Sequence, residues 1–432
     1  MPPFILSCFT YLAAALPGST LGMLWPSMRI SVREPLSALA ILLVAGVAAQ
    51  VVSSAATGRV RARVRQGTLI AAGAALMAAA LAMESAATAL WLLVVGSAVY
   101  SAGFGFVNTA LNVYAAARFG PRNITWMHAT YGLGATLGPL LVTALLVSGA
   151  GWRAAVASMS AVLAAVALVL YVTRRRWEVP PREPKGAPPS GLRSDEAKLQ
   201  RDEGRRRAKS ARRRAGEQSA RRRAGEQSAR RRAGEQSARR RAGERSVGVA
   251  IAFIAIESGI ETAAGIWGYV FLTSGQGVSA TVAGVAVSAY WAMMFAGRAL
   301  LGPVAERAGA SRVLAIAIAG VPAGALLMTV PGPAALSVAG MMLLGLAAAP
   351  VFPLLTLTTA ARVGEGGAAT AVGLQTAASA IGSAALPSGI GLVIGVAGAQ
   401  VTGPALLVLG LAMCAVYALA LRPARAVGTV RG

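Results

Sequence analysis

The chain has 432 residues, 56% of them hydrophobic and 13% charged, with a mean hydropathy of +0.61. Soluble domains carry about 25% charged residues, so this composition excludes a soluble globular protein and points to a chain embedded in lipid. The formal net charge of +25 and the pI near 11.6 are no signal for nucleic acid, because 25 of the 41 Lys and Arg fall in one segment, Arg174 to Arg245.

In chain order, Met1-Pro2-Pro3-Phe4 lacks a basic leader region, so the first apolar run is expected to be kept as a membrane helix. An apolar run of about 20 residues bounded by Gly, Pro or charge is long enough to cross a bilayer. Six such runs precede the basic segment: Phe4–Ser27, Leu36–Thr57, Thr68–Ala86, Leu90–Ala117, Ile124–Ser148 and Ala154–Val172. Six follow it: Val247–Thr273, Thr281–Val304, Val313–Val330, Ala334–Ala361, Ala368–Val396 and Pro404–Leu421. The expected fold is an all-α polytopic membrane protein with twelve transmembrane helices in two six-helix halves, residues 1–173 and 247–422, and a tail over 423–432. Fifty glycines suit such a bundle, since small residues let helices approach closely in lipid. Cys8 and Cys414 lie in apolar runs near opposite ends and read as packing residues rather than a disulfide.

Residues 174–246 differ from everything around them. A Pro-rich patch (Pro180, Pro181, Pro184, Pro188, Pro189) leads into the unit Ser-Ala-Arg-Arg-Arg-Ala-Gly-Glu-Gln, which starts at Ser210, Ser219, Ser228 and Ser237, the last copy ending in Arg245. With few large apolar residues this loop is expected to be disordered. Its arginines can touch anionic headgroups at about 1 kcal/mol each, so membrane lipids are expected partners. The repeat reads equally as a tolerated expansion, and without interleaved aromatics nucleic acid is not an expected partner.

Lys and Arg accumulate on the cytoplasmic side. The second connection holds Arg59, Arg61, Arg63 and Arg65, the fourth Arg118 and Arg122, the eighth Arg307 and Arg312, the tenth Arg362, and the tail Arg422, Arg425 and Arg431. The seventh, ninth and eleventh connections have none, so both termini are expected to be cytoplasmic, in the plasma membrane. Arg29, Arg33 and Arg153 break the alternation.

In the second half, Gly297-Arg298 is followed by Gly302 and then Glu306-Arg307-Ala308-Gly309, with Arg312 beyond. This resembles the loop signature of the major facilitator superfamily, whose fold is two six-helix halves. The counterpart, Gly58-Arg59-Val60-Arg61, keeps the basic residues but lacks the acid. Within the superfamily, Asn108-Thr109-Ala110-Leu111-Asn112, then His128-Ala129-Thr130-Tyr131-Gly132-Leu133-Gly134-Ala135 with Gly138-Pro139, resemble the fucose permease-like branch. Gly259-Ile260-Glu261 with Trp267, Ala348-Ala349-Pro350-Val351-Phe352-Pro353 and Gly373-Leu374-Gln375 are similar to it as well. The resemblance implies proton-coupled uptake of a sugar-like solute and a gating loop made of Arg59, Arg298, Glu306 and Arg307. Proton-coupled members carry an acid in helix 1 and another at the position of Asn108. Neither is present here, which argues against fucose itself.

An ionisable group at membrane depth usually faces the bundle interior and has a partner or a function. Glu257 and Glu261 are read as the only carboxylates inside the spans, four residues apart on one helical face. Two such groups repel when both are ionised, so one is expected to hold a proton near neutral pH, with Glu261 the lead coupling or substrate-binding residue. A plain interhelical hydrogen bond is the competing reading for either. His128, the single histidine, can relay protons or simply bridge helices. Asn108 and Asn112 share a face and, like Gln375, suit hydroxyl recognition or helix stitching. Tyr131, Trp267, Tyr290 and Trp291 suit a stacking platform, interfacial anchoring being the rival for the tryptophans. Arg298 reads as a gate cation or as a side chain snorkelling to the headgroups.

The expectation is therefore a secondary active transporter, working as a monomer on a small solute with protons as partners and no cofactor or metal. Efflux of a drug or metabolite by the same fold, or a non-transporting scaffold docking through its basic loop, are the alternatives. No Gly-x-x-x-x-Gly-Lys-Ser/Thr loop, His-Glu-x-x-His or Gly-x-Ser-x-Gly motif occurs, so an enzyme is not expected.

Overall fold

The computed structural model describes residues 2–177, 248–355 and 365–421. The nonapeptide repeats, Arg362 and the tail arginines lie outside the described residues, as does the side chain of Glu306. Lipid offers backbone groups no partners, so helices are the form that apolar runs of this length take. Among the described residues eleven helices are long and apolar enough to span a membrane, and a bent pair, taken as one span, brings the number to twelve.

That pair is α1 (Pro3–Gly18) and α2 (Leu21–Val32), bent by 48°. Pro17 removes a backbone donor, and the hydroxyls of Ser19 and Thr20 turn back to bond the carbonyls of Leu16 and Pro17 at 3.2 and 3.0 Å. The crossing runs five residues past the expected end at Ser27 and so carries Arg29 in its last turn, where the helix dipole favours a cation. It closes on Arg33, which adopts φ 60°, while the Glu34 amide donates to the Arg29 carbonyl at 2.9 Å. The first half continues with α3 (Leu39–Arg61), α4 (Gln66–Ser85), α5 (Leu90–Arg118), α6 (Pro121–Val147) and α7 (Gly151–Val172). Arg153 is likewise tied into the packing, since it donates to the Ala87 carbonyl at 2.7 Å and lies over the Trp152 ring.

The basic segment begins with packed structure. Arg174–Trp177 form a 3-10 turn, and Trp177 is fully buried with its ring 5.0 Å from Tyr114. Gly67 at the start of α4 has no side chain because the Arg174 carbonyl occupies that space.

The second half contains α8 (Gly248–Gly275), which ends in a π turn over Phe271–Gly275, then α9 (Ala280–Ala308) and α10 (Ala310–Thr329). It continues with α11 (Ala334–Ala348, its span extending to Leu355), α12 (Glu365–Ala397) and α13 (Thr402–Leu421). Among the helix pairs that join the halves are two seams, α6 against α9 and α3 against α12. Shifting each helix by six crossings turns one seam into the other, as two repeats related by an axis along the membrane normal require.

Candidate functional site

A cavity of about 280 Å³ lies between the halves. Gly18 and Ser19, at the break of the first crossing, form part of its wall, with Gln50 from α3, Tyr131 from α6, Glu261 and Thr262 from α8, and Trp291, Phe295 and Arg298 from α9. A larger hollow, about 570 Å³, lies between α4 and α7. It is lined mainly by alanines such as Ala71, Ala75 and Ala78, so it offers little to orient a polar molecule.

On the side of the cavity away from the arginine-rich connections, the halves are in contact. Gly22 of α2 sits where any Cβ would collide with the Ile266 backbone of α8, and Gly284 of α9 lies against Thr143 of α6. Ser288 donates from Oγ to the Thr136 carbonyl at 2.7 Å. Towards the arginine-rich side, Arg298 is 40% exposed.

Arg298 and Glu261 form the ion pair of the cavity. One guanidinium nitrogen, Nη2, donates to both carboxylate oxygens, at 2.9 and 3.0 Å, and the carboxylate is 18% exposed. Arg298 thus has a carboxylate at the cavity wall as its partner rather than headgroups. Tyr290 is fully buried and donates its hydroxyl to the Glu261 backbone carbonyl at 2.9 Å, which fixes α8 against α9.

Glu257, one turn earlier on α8, is in a different environment. It is 2% exposed, its Oε2 accepts from Ser258 Oγ at 3.0 Å, and its Oε1 has no hydrogen-bond partner. Ser258 Oγ lies 2.7 Å from Ser379 Oγ on α12, and Ser383 Oγ donates to the Ser258 carbonyl at 3.3 Å. A third carboxylate, not anticipated from the sequence, is Glu84 near the end of α4, which is buried and lies over Gly96.

In the first half one polar cluster is mutually satisfied. The Tyr11 hydroxyl donates to Asn108 Oδ1 at 2.7 Å and accepts from Asn112 Nδ2 at 2.9 Å. His128 Nε2 lies 3.0 Å from Asn112 Oδ1, a contact that places the ring proton on Nε2. The Tyr11 ring meets His128 edge-on at 5.2 Å and Tyr131 at 6.3 Å, so this cluster adjoins the cavity through Tyr131. Tyr11 gave no signal beyond being a hydroxyl in an apolar run; a buried hydroxyl needs a partner, and it has two amides.

The structure thus brings Glu261, Tyr131 and Arg298 to the cavity and sets Asn108, Asn112 and His128 beside it. Tyr290 backs the wall and Gln375 is buried in α12. Trp267 is neither platform nor interfacial anchor: it is fully buried and donates from Nε1 to the Pro387 carbonyl at 2.8 Å. Trp291 does line the cavity, edge-on to Tyr290, and its indole N–H has no acceptor. Arg59 and Arg307 are exposed. The first-half clasp, which the sequence did not reveal, uses Arg61, whose Nη2 donates to Gln66 Oε1 at 2.9 Å, while Gln66 donates to the Ala110 carbonyl at 2.8 Å.

Several solved structures share this fold. A variant of the nucleoside transporter NupG superposes with a TM-score of 0.68 at 15% identity, over 95% of this chain and 98% of that one. A bacterial homolog of the human lysosomal transporter Spinster, inward-facing and occupied, gives 0.66 at 14% identity over 96% of each chain. The peptide transporter POT in complex with sulfate gives 0.64 at 14% identity, over 96% of this chain and 94% of that one. Among curated proteins no sequence relative is found. The sequence model of the Major Facilitator Superfamily matches residues 4–387, which takes in the first half, much of the second and every cavity residue named above. This multi-pass membrane protein belongs to the Major Facilitator Superfamily and is a transporter rather than an enzyme.

Proposed function

We propose that the protein is a proton-coupled secondary transporter of the fucose permease-like branch, moving a small hydroxyl-bearing solute by alternating access. The observation that carries this reading is the Glu261–Arg298 ion pair at the wall of a cavity between the halves. Protonation of Glu261 cancels the charge that holds Arg298 and frees guanidinium donors for the solute. Proton and substrate thereby act on the same pair. The amide of Gln50 and the indole of Trp291 as donors, the hydroxyl oxygens of Ser19 and Thr262 as acceptors, and the flat faces of Tyr131 and Phe295 suit a sugar ring or a nucleoside. The Tyr11, Asn108, Asn112 and His128 cluster holds its groups rigidly at the edge of that space.

With the arginine-rich side taken as cytoplasmic, both termini face the cytoplasm and the cavity is in its inward-facing form. In this reading the protein works in the plasma membrane as a monomer, with the basic loop resting on anionic headgroups. A purely structural scaffold has no use for a part-exposed ion pair in an internal cavity.

The test is counterflow of labelled monosaccharides, polyols and nucleosides in proteoliposomes holding the full-length chain. One solute class is expected to exchange, and an imposed proton gradient is expected to drive its accumulation. In Glu261→Gln, exchange without accumulation is the expected result; full gradient-driven accumulation there would overturn proton coupling at this residue. The same assay with the gradient reversed separates uptake from efflux.

A further inference from the structure

We propose that the chain holds a sodium ion between α8 and α12, on the Glu257 carboxylate and the hydroxyls of Ser258 and Ser379. This site is separate from the Glu261–Arg298 pair and goes beyond the transport reading above.

Glu257, Glu261 and Arg298 lie within about one helical turn of each other along α8 and its neighbour, and their formal charges leave one negative charge in excess. Arg298 is committed to both oxygens of Glu261. Among the described residues no other cation pairs with Glu257, which is 2% exposed and has one oxygen, Oε1, without a partner. A bare buried carboxylate is too costly to persist, so a positive charge must accompany it.

The oxygens around it select which charge. Ser258 Oγ lies 3.0 Å from Glu257 Oε2 and 2.7 Å from Ser379 Oγ. Ser383 adds a further hydroxyl one turn along α12, 3.3 Å from the Ser258 carbonyl. This is an all-oxygen set with no nitrogen or sulfur, which suits a hard cation. A proton on Oε2 would meet Ser258 but leave Oε1 unsatisfied, whereas a metal ion held between the two carboxylate oxygens satisfies both. A divalent ion would leave a net positive charge in the same low-dielectric space, so the single excess charge points to a monovalent one.

The site is reachable and has a mechanical consequence. Ser379 and Ser383 are half-buried, and Thr262, which lines the cavity, donates to the Ser258 carbonyl at 2.8 Å. Gly382 brings α12 so close to α8 that any Cβ would meet the Ala255 carbonyl, and α12 also packs on α3 of the other half. An ion here ties α8 to the helix that forms one seam.

The experiment measures the unfolding midpoint of detergent-purified full-length protein in sodium, lithium, potassium or choline chloride at equal ionic strength, together with equilibrium binding of radioactive sodium. Sodium is expected to raise the midpoint saturably, with potassium and choline ineffective. Glu257→Gln is expected to abolish the shift, and Ser379→Ala to weaken sodium binding by about tenfold or more. If Glu257→Gln fails to fold, the Ser379→Ala binding curve decides by itself. A midpoint indifferent to sodium, or a sodium shift unchanged in these variants, would overturn the proposal. Binding is read without any solute, so its failure leaves the counterflow test of transport untouched, and the reverse also holds.

Discussion

The two halves of the molecule solve the problem of placing polar groups in a membrane in different ways. In the first half Tyr11, Asn108, Asn112 and His128 saturate one another through bonds of 2.7 to 3.0 Å, all of them available to neutral groups. In the second, Glu257, Glu261 and Arg298 carry formal charge, and one carboxylate oxygen has no partner at all. A saturated neutral cluster is rigid and indifferent to ions, while a charged and incompletely paired one changes when an ion arrives. In the proposed mechanism the second half carries the coupling charges, while the neutral cluster of the first half holds one edge of the solute space.

The strongest way to break that division is to remove the cation. Arg298→Ala leaves Glu261 unpaired at the cavity wall and should slow solute counterflow about a hundredfold, the scale a few kcal/mol sets. Arg298→Ala combined with Glu261→Gln removes both charges and should recover part of the exchange but no proton-driven accumulation. Equal loss in the single and double variants would show that the pair's charge balance is not what matters. Next comes the neutral cluster. Tyr11→Phe leaves Asn108 and Asn112 short of a partner and should cost about 1–2 kcal/mol of stability with up to about tenfold weaker solute affinity. Its proton dependence should match the wild type, and a changed dependence would blur the division between halves.

A smaller effect is expected at Trp267, where substitution by Phe deletes the bond to the Pro387 carbonyl. Thermal unfolding should report about 1 kcal/mol of lost stability, while exchange kinetics stay as they were. The smallest expected effect is on the basic segment. A chain lacking Ser210 to Gln236 should transport at wild-type rates, as measured by counterflow at equal protein per liposome.

Much of the fold was readable from apolar run lengths alone, because lipid permits few alternatives to a helix of about 20 residues. The ends of α3, α5, α7 and α10 fall within a few residues of where Gly, Pro and charge place them. The first crossing was read short because its chain stays helical through Arg29, a residue type taken as loop. Glu261 was legible since an acid at membrane depth is conspicuous; its partner was not. Arg298 is 37 residues further on, and spans that are apolar all round do not reveal which face turns inward. Trp267 illustrates the same limit, since a tryptophan near a helix end suits an interface and a core equally until its neighbours are known. The serines at 258, 379 and 383 were invisible for another reason. Hydroxyls are common in such helices, and only the approach of α12 to α8 makes these three a group.

The 48° bend at Pro17 to Ser19 places an elbow at the same depth as the cavity, because Gly18 and Ser19 belong to both. Arms of 16 and 12 residues extend from it; at 1.5 Å per residue they reach about 24 and 18 Å, so a rotation of about 10° at the elbow moves their tips by roughly 3 to 4 Å. One arm reaches the arginine-rich face and the other the opposite face. A molecule pressing on the elbow therefore has leverage on both mouths of the protein at once, with a single broken helix as the crank.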